Sequence, residues 1–265
     1  ALLAMTLPAA TLPAVEIIAH RGASYDAPEN TLRAMKLAWA QQADAIELDL
    51  WLSQDGRIVV MHDADTKRVG GPARRIAEQT WAELQQLDVG AWKDPRFQGE
   101  RVPALAAILA TIPAGRRAVL EIKCGPEILP ELSRVLAESG KTPAQIAIIA
   151  FDFETLRRSK EKLPQFPHYW LHGYKQDQKT GRFPELAPIL ARAQAAKFDG
   201  LDLHFDWPMD AAFVAKLRAA GMKLVVWTVN DPLVARRLMA AGVDGITTDR
   251  PQWLREQLKA GEAAR

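Results

Sequence analysis

Short runs of β-branched and aromatic residues recur along the chain, each followed by a longer stretch whose apolar positions return every three or four residues. The runs are residues 15–20, 45–51, 58–62, 118–123, 146–151, 169–172, 201–205, 224–229 and 243–248. Nearly continuous apolar strands alternating with amphipathic helices are the signature of βα units around a parallel sheet. The second and third runs are joined through Ser53-Gln54-Asp55-Gly56, and Asp-Gly between two apolar runs predicts a hairpin turn. Residues 58–62 are therefore expected as an antiparallel arm. Eight parallel strands remain, the number that closes a (β/α)8 TIM barrel, at about the ~250 residues usual for that fold.

The helical stretches agree. Pro28-Glu29-Asn30-Thr31 reads as a turn and N-cap ahead of Leu32, Met35 and Trp39 at helical spacing, a structural role. Near the C-terminus, a helix over 211–220 ends at Gly221, and one opened by Asp231-Pro232 ends at Ala241 before Gly242. Glycine just past a helix end predicts a left-handed cap. Between Asp63 and Pro103 the pattern weakens into a polar stretch carrying Trp81, Trp92 and Phe97. Residues 64–103 are thus expected as a small insertion over one end of the barrel, shaping the leaving-group pocket. The layout is an apolar extension, 1–14, and one barrel domain, 15–265.

Composition narrows the function. The chain has 265 residues, 34 Lys+Arg against 32 Asp+Glu, a formal net charge of +2 and 48% hydrophobic residues, enough for one large core. Its basic residues fall in pairs such as Arg74-Arg75 and Arg157-Arg158 rather than in clusters, which argues against nucleic acid as a partner. The lone Cys124 excludes internal disulfides and multi-thiolate zinc sites. No apolar run reaches the ~18 residues that span a bilayer. As the remnant of a signal peptide, the uncharged residues 1–14 imply an exported or periplasmic protein; as a packing tail they leave a cytoplasmic one. Oligomeric state is not legible.

Barrel enzymes carry their chemistry at the C-terminal ends of the strands. Here those ends are polar: His20-Arg21-Gly22, Glu47-Leu48-Asp49, His62-Asp63 and Glu121-Ile122-Lys123. The strand period of two points Glu47 and Asp49 to one face, and Glu121 and Lys123 likewise. Each pair alone is commonly an ion pair in a barrel layer; convergence of four strand ends is what points to a site. Three buried carboxylates against two countercharges, Arg21 and Lys123, leave a deficit that one divalent cation would close. Oxygen ligands without thiolate favour Mg²⁺ or Ca²⁺ over zinc. Two histidines beside such a cation suit a proton donor and a proton acceptor, and Arg21 and Lys123 suit a phosphate's non-bridging oxygens. The set spells metal-assisted phosphoryl chemistry. His172, His204, Trp207, Trp227 and Asn230 lie at or beyond later strand ends and are expected to line a leaving-group pocket, whereas His168 precedes its strand and reads as structural.

Taken in order, His20-Arg21-Gly22-Ala23, Pro28-Glu29-Asn30-Thr31, Glu47-Leu48-Asp49, Asp55-Gly56, His62-Asp63 and Glu121-Ile122-Lys123 resemble the glycerophosphodiester phosphodiesterase family. Trp227-Thr228-Val229-Asn230 and Gly245-Ile246-Thr247-Thr248-Asp249-Arg250-Pro251 extend the resemblance to about residues 17–251. It implies a (β/α)8 barrel with a small insertion after the His-Asp motif, hydrolysing a small-molecule glycerophosphodiester to sn-glycerol 3-phosphate and an alcohol. By position, His20 and His62 match the acid/base pair, Glu47, Asp49 and Glu121 the metal ligands, and Arg21 and Lys123 the phosphate contacts. The sequence departs from the family in its extension before Val15 and in His204-Phe205-Asp206-Trp207, which leaves the headgroup open. Which histidine is the acid, and whether water or the glycerol 2-hydroxyl attacks, stay open too. Two rival readings are a lyase of phospholipase D type on lysophospholipid or sphingomyelin, whose venom members carry disulfides this chain cannot form, and an inactive binding barrel, which intact polar strand ends oppose.

Overall fold

A computed structural model describes residues 15–263; the extension at 1–14 lies outside them. The chain runs β1 (Glu16–Ala19), α1 (Leu32–Ala40), β2 (Ala45–Leu52), β3 (Ile58–Val60), α2 (Trp81–Leu84), α3 (Leu105–Leu109), β4 (Arg117–Ile122), α4 (Leu129–Ser139) and β5 (Ile146–Ala150). It continues with α5 (Phe153–Lys162), β6 (His168–His172), α6 (Leu186–Ala195), β7 (Gly200–His204), α7 (Ala211–Ala219), β8 (Lys223–Trp227), α8 (Pro232–Ala241), β9 (Gly245–Thr248) and α9 (Pro251–Ala263). Hydrogen bonding follows the order β1-β9-β8-β7-β6-β5-β4-β2-β3, and β1 also pairs with β2. With β3 set aside as the antiparallel arm, eight parallel strands close a (β/α)8 TIM barrel, as the pattern predicted.

Alternation along each strand sorts the core. Ile46, Leu48 and Leu50 of β2 pack outward with Leu120, Ile148, Leu203 and Val226 against the helices. Ile18, Ala45, Val119, Ala147, Ile149, Tyr169, Leu171 and Val225 fill the barrel interior. Ala45, Glu47 and Asp49 share the inward face of β2, so the acids stand directly above an apolar plug. The insertion packs on the β3 arm through a separate core of Val59, Met61, Val69, Ile76, Leu84, Val89 and Val102, backed by Trp51 and Trp81, while Phe97 is buried apart from it and Trp92 stays 41% exposed.

Thr31 caps α1 through its side chain, which accepts from the Ala34 amide, and Gly242 closes α8 in the left-handed region. His168 opens β6 rather than preceding it. Its ring is buried between the Ser159 hydroxyl and the Phe166 carbonyl, each 2.9 Å away, and burial lowers its pKa to about 4, consistent with a structural role. β1 stops at Ala19 and β3 at Val60, so His20 and His62 stand on turns just beyond strand ends.

The first of these turns is sterically exacting. Arg21 and Gly22 both have positive φ, +56° and +81°, and a Cβ on Gly22 would lie 2.7 Å from the Ala34 carbonyl carbon in α1. Glycine is required here by backbone conformation and by space together. Gly22→Ala is accordingly expected to lower the unfolding free energy by about 2–4 kcal/mol and to cut activity by displacing His20 and Arg21. A denaturation midpoint equal to the parent's would refute this account.

Candidate active site

β2 and β4 run in parallel register with Asp49 opposite Glu121, and Glu47 lies one inward position earlier. One carboxylate oxygen from each falls within 4.8 Å of the others, at 4%, 1% and 8% residue exposure for Glu47, Asp49 and Glu121. Arg21 donates its amide to Glu47 Oε2 at 2.9 Å, and its Nε stands 3.4 Å from Asp49 Oδ2. Lys123 Nζ lies 2.9 Å from Glu121 Oε1 and 3.6 Å from Asp49 Oδ1. Asn30 Nδ2 donates to Asp49 Oδ2 at 2.8 Å.

The charge deficit read from the sequence is visible in the titration of the three acids. Burial and the Asp49 and Glu121 carboxylates push Glu47 well above its usual range. Burial, then Asp49, raises Glu121 to about 7. For Asp49, burial works upward but is outweighed by Arg21, Lys123 and His62, which hold it low. Glu47 Oε1 is buried with no hydrogen-bond partner among the described residues. An orphaned carboxylate oxygen beside two others, with too few basic side chains to neutralise them, is a donor set that fits a hard divalent cation.

The histidines are each held from behind. His20 Nδ1 lies 2.6 Å from Asp249 Oδ1, and Asp249 also accepts from Ser24 Oγ at 3.0 Å and Asn230 Nδ2 at 2.6 Å. Burial opposes ionisation of Asp249, yet His20, Asn230 and Ser24 bring its pKa down to about 2. His62 Nδ1 lies 2.7 Å from Asp63 Oδ1, whose Oδ2 accepts from Arg68 Nε at 2.6 Å, and burial lowers the His62 pKa. A carboxylate on Nδ1 fixes ring orientation and leaves Nε2 for substrate.

These groups surround one cavity of about 70 Å³, lined by His20, Arg21, Glu47, His62, Glu121 and Lys123 on one side and by Ile149, Phe151, Leu171, Asp202, Trp227 and Thr247 on the other. A more open cavity of about 310 Å³ adjoins it, sharing His20 and Arg21 and adding Ser24, Tyr25, Glu29, Trp92, Lys93 and Asp249. A larger groove of about 470 Å³ between α3 and α4 lies outside the barrel, away from this chemistry.

Of the five residues expected in a leaving-group pocket, Trp227 reaches the cavity, edge-on to Phe151 at 5.5 Å. His204 packs behind it, 4.9 Å from the Trp227 ring, and His172 sits 4.1 Å from Trp170 with its pKa lowered by burial to about 4. Trp207 is 2% exposed between Tyr174 and Phe213, a packing position. Asn230 holds Asp249 instead of lining a pocket. Position at a strand end does not fix radial direction, and β6 turns Tyr169 and Leu171 inward, leaving His172 on the outward parity.

Pro28-Glu29-Asn30-Thr31 does more than cap a helix. Glu29 accepts from Arg21 Nη1 at 2.9 Å and from both terminal nitrogens of Arg68 at 2.9 and 2.8 Å, while Asn30 holds Asp49. Sequence reasoning missed Glu29, Asn30, Asp63, Arg68, Asp202 and Asp249 as members of the site. A signal existed for Asp249, a polar residue just past β9, and for Asp202, flanked by Leu201 and Leu203 on a strand.

The chain matches the Glycerophosphoryl diester phosphodiesterase family over residues 20–253. YhdW of Bacillus subtilis strain 168 is 34% identical over 244 residues, covering 90% of this chain and 96% of that protein. The glycerophosphodiester phosphodiesterase of Caldanaerobacter subterraneus subsp. tengcongensis is 32% identical over 250 residues, covering 92% and 98%. Among solved structures, an Oleispira antarctica phosphodiesterase in complex with the product sn-glycerol-3-phosphate superposes with a TM-score of 0.84 at 28% identity, over 92% of this chain and 96% of that one. This chain belongs to the glycerophosphoryl diester phosphodiesterase family.

The raised carboxyl of Glu121 makes a prediction about pH. Folded, it keeps to about pH 7 a proton that the unfolded chain releases near 4.5. The stability this adds is complete below about pH 4.5 and is lost as pH rises through about 7. Melting temperatures of the cation-free protein should therefore fall from about pH 5 to about pH 8. Glu121→Gln should flatten that fall and melt above the parent at the alkaline end; coincident curves would show that the cluster carries no such strain.

Proposed function

We propose that this chain hydrolyses glycerophosphodiesters to sn-glycerol 3-phosphate and an alcohol, with one divalent cation, Mg²⁺ or Ca²⁺, held by Glu47, Asp49 and Glu121. The observation that carries this reading is the cluster of three buried carboxylates beside one cavity, which Glu47 and Glu121 line together with two basic side chains and two carboxylate-held histidines. The product bound in the Oleispira antarctica relative agrees with it.

The cation, when bound, supplies Lewis-acid charge to the phosphate oxygens. Arg21 and Lys123 add charge from the two flanks of Asp49, Arg through its fork and Lys as a point charge. Of His20 and His62, one takes the proton of the attacking hydroxyl and the other returns a proton to the departing alkoxide. Asp249 and Asp63 stabilise each ring as it becomes cationic and keep its Nε2 aimed at substrate. Burial, by lowering the His62 pKa, favours its neutral, proton-accepting form near neutrality. The apolar plug closes the barrel below the acids.

The test is a product assay on glycerophosphocholine. Glycerol 3-phosphate and choline should appear with Mg²⁺ or Ca²⁺ and vanish in excess EDTA; undiminished turnover in EDTA by metal-free protein would overturn the cation's role. Accumulation of a cyclic phosphate as the end product would replace hydrolysis with a lyase reaction. His20→Ala and His62→Ala should each lower kcat by about 10²-fold or more, and near-parental turnover would remove that histidine from the mechanism.

The insertion's Trp92 and Lys93 frame the open cavity beside His20. Trp92→Ala should thus change the ratio of kcat/KM among choline, ethanolamine and glycerol diesters without weakening cation binding. A lowered melting temperature with unchanged ratios would leave the insertion a purely stabilising cover.

A further inference from the structure

The cavity holds one more carboxyl, which the proposed reaction does not use. Asp202 lies in β7 between Leu201 and Leu203, both packed outward against the helices, so its side chain faces the barrel interior. It is 2% exposed, and its Oδ1 is buried with no hydrogen-bond partner among the described residues. A buried oxygen left in that state costs about 1–3 kcal/mol, an expense that native structures rarely carry without a use.

Its position indicates the use. Around the closed barrel β7 stands four strands from β2 in either direction, so Asp202 is directly across the cavity from Glu47 and Asp49. Between the two walls the lining is largely apolar, with Ile149, Leu171 and Trp227. A phosphodiester whose phosphate lies at the charged wall must lay its carbon chain along those apolar flanks. Any hydroxyl at the far end of that chain meets Asp202. The cavity is small, about 70 Å³, and suits the part of the substrate that never changes, whereas the open cavity of about 310 Å³ beside His20 suits a variable alcohol.

We propose that Asp202 anchors a hydroxyl of the substrate's glycerol moiety and is the residue that distinguishes glycerol phosphodiesters from diesters of simple alcohols. This rests on the glycerophosphodiester reading above. Burial, and then the Glu121 carboxylate, push the Asp202 carboxyl above its ordinary range, and a carboxyl in either protonation state can bond a hydroxyl. A polar group built to bond a substrate hydroxyl rejects the analogue that lacks it, because the group is then left unsatisfied in an apolar setting.

The test is calorimetric binding of sn-glycerol 3-phosphate and of propyl phosphate, which has the same phosphate and carbon chain without hydroxyls, to the cation-loaded protein. The parent should prefer glycerol 3-phosphate by about tenfold or more, the worth of one satisfied buried hydrogen bond. In Asp202→Leu and Asp202→Ala the preference should shrink to about twofold or less through weaker glycerol 3-phosphate binding, with propyl phosphate affinity kept. Asp202→Leu should also melt above the parent, since an unsatisfied carboxyl has been replaced by an apolar group. Asp202→Ala adds no bulk and decides the matter should the leucine variant fail to fold. Equal weakening of both ligands, or a preference that survives both substitutions, overturns the proposal; so does weaker cation binding in the variants, which would move Asp202 to the cation cluster. Hydrolysis of glycerophosphocholine by the parent is measured separately. Its absence counts against the proposed function, while the two dissociation constants decide the role of Asp202.

Discussion

Glu47, Asp49 and Glu121 bring carboxylate oxygens within 4.8 Å of one another inside a barrel mouth where none is more than 8% exposed. At that spacing two like charges repel by about 3 kcal/mol even at an effective dielectric constant near 20, and desolvation adds several kcal/mol for each ion. Arg21 and Lys123 offset two of the three charges. The remainder appears as raised pKa values on Glu47 and Glu121 rather than as collapse of the site. The acids cannot move apart, because each is fixed on a strand whose register is locked by its neighbours. A cluster able to hold a cation is what results when the sheet enforces proximity that electrostatics opposes.

A continuous chain of polar contacts spreads from that cluster. Asp49 is held by Arg21 and Asn30, Arg21 by Glu29, Glu29 by Arg68, and Arg68 by Asp63, which carries His62. Arg68 belongs to the insertion, so one histidine of the pair is oriented in part by a segment that contributes no acid to the cluster. The separate core beneath that segment keeps Arg68 in place. His20 is served independently, through Asp249 and Asn230 after β9 and β8. The two histidines thus have separate supports, and their orientations are set by different parts of the chain. Networks of this kind hold reactive groups in one geometry before substrate arrives, so binding need not supply that order.

The molecule divides its interior between two demands. Below the acids, Ile18, Ala45, Val119 and Val225 make the barrel a packed core rather than a channel. Above and across from them, Asp202, Trp227 and Phe151 leave a cavity unfilled, with a polar atom unsatisfied at its far wall. Stability would be served by filling it. Binding of a small polyol ester is served by leaving it open, and that exchange is the usual one between stability and function at active sites.

Much of this is legible in the sequence itself. Eight apolar runs in alternation with amphipathic helices gave the barrel, Asp55-Gly56 gave the hairpin, and the parity of Glu47 with Asp49 placed both on one face, because strand and helix periods are local properties of the chain. The counting of three acids against Arg21 and Lys123 already pointed to a cation. Tertiary structure alone decided which distant residues close around that cluster. Asp249 reaches His20 across 229 positions of sequence, Arg68 reaches Glu29 across 39, and Asn30 leaves its helix-capping turn to bond Asp49. The same holds for Trp207, which a strand-end position offered to the pocket and packing against Tyr174 and Phe213 withdrew. Periodicity tells which face of an element a side chain takes, but what that face meets is set by how barrel closure and the insertion bring separate elements together, and no local pattern encodes those contacts.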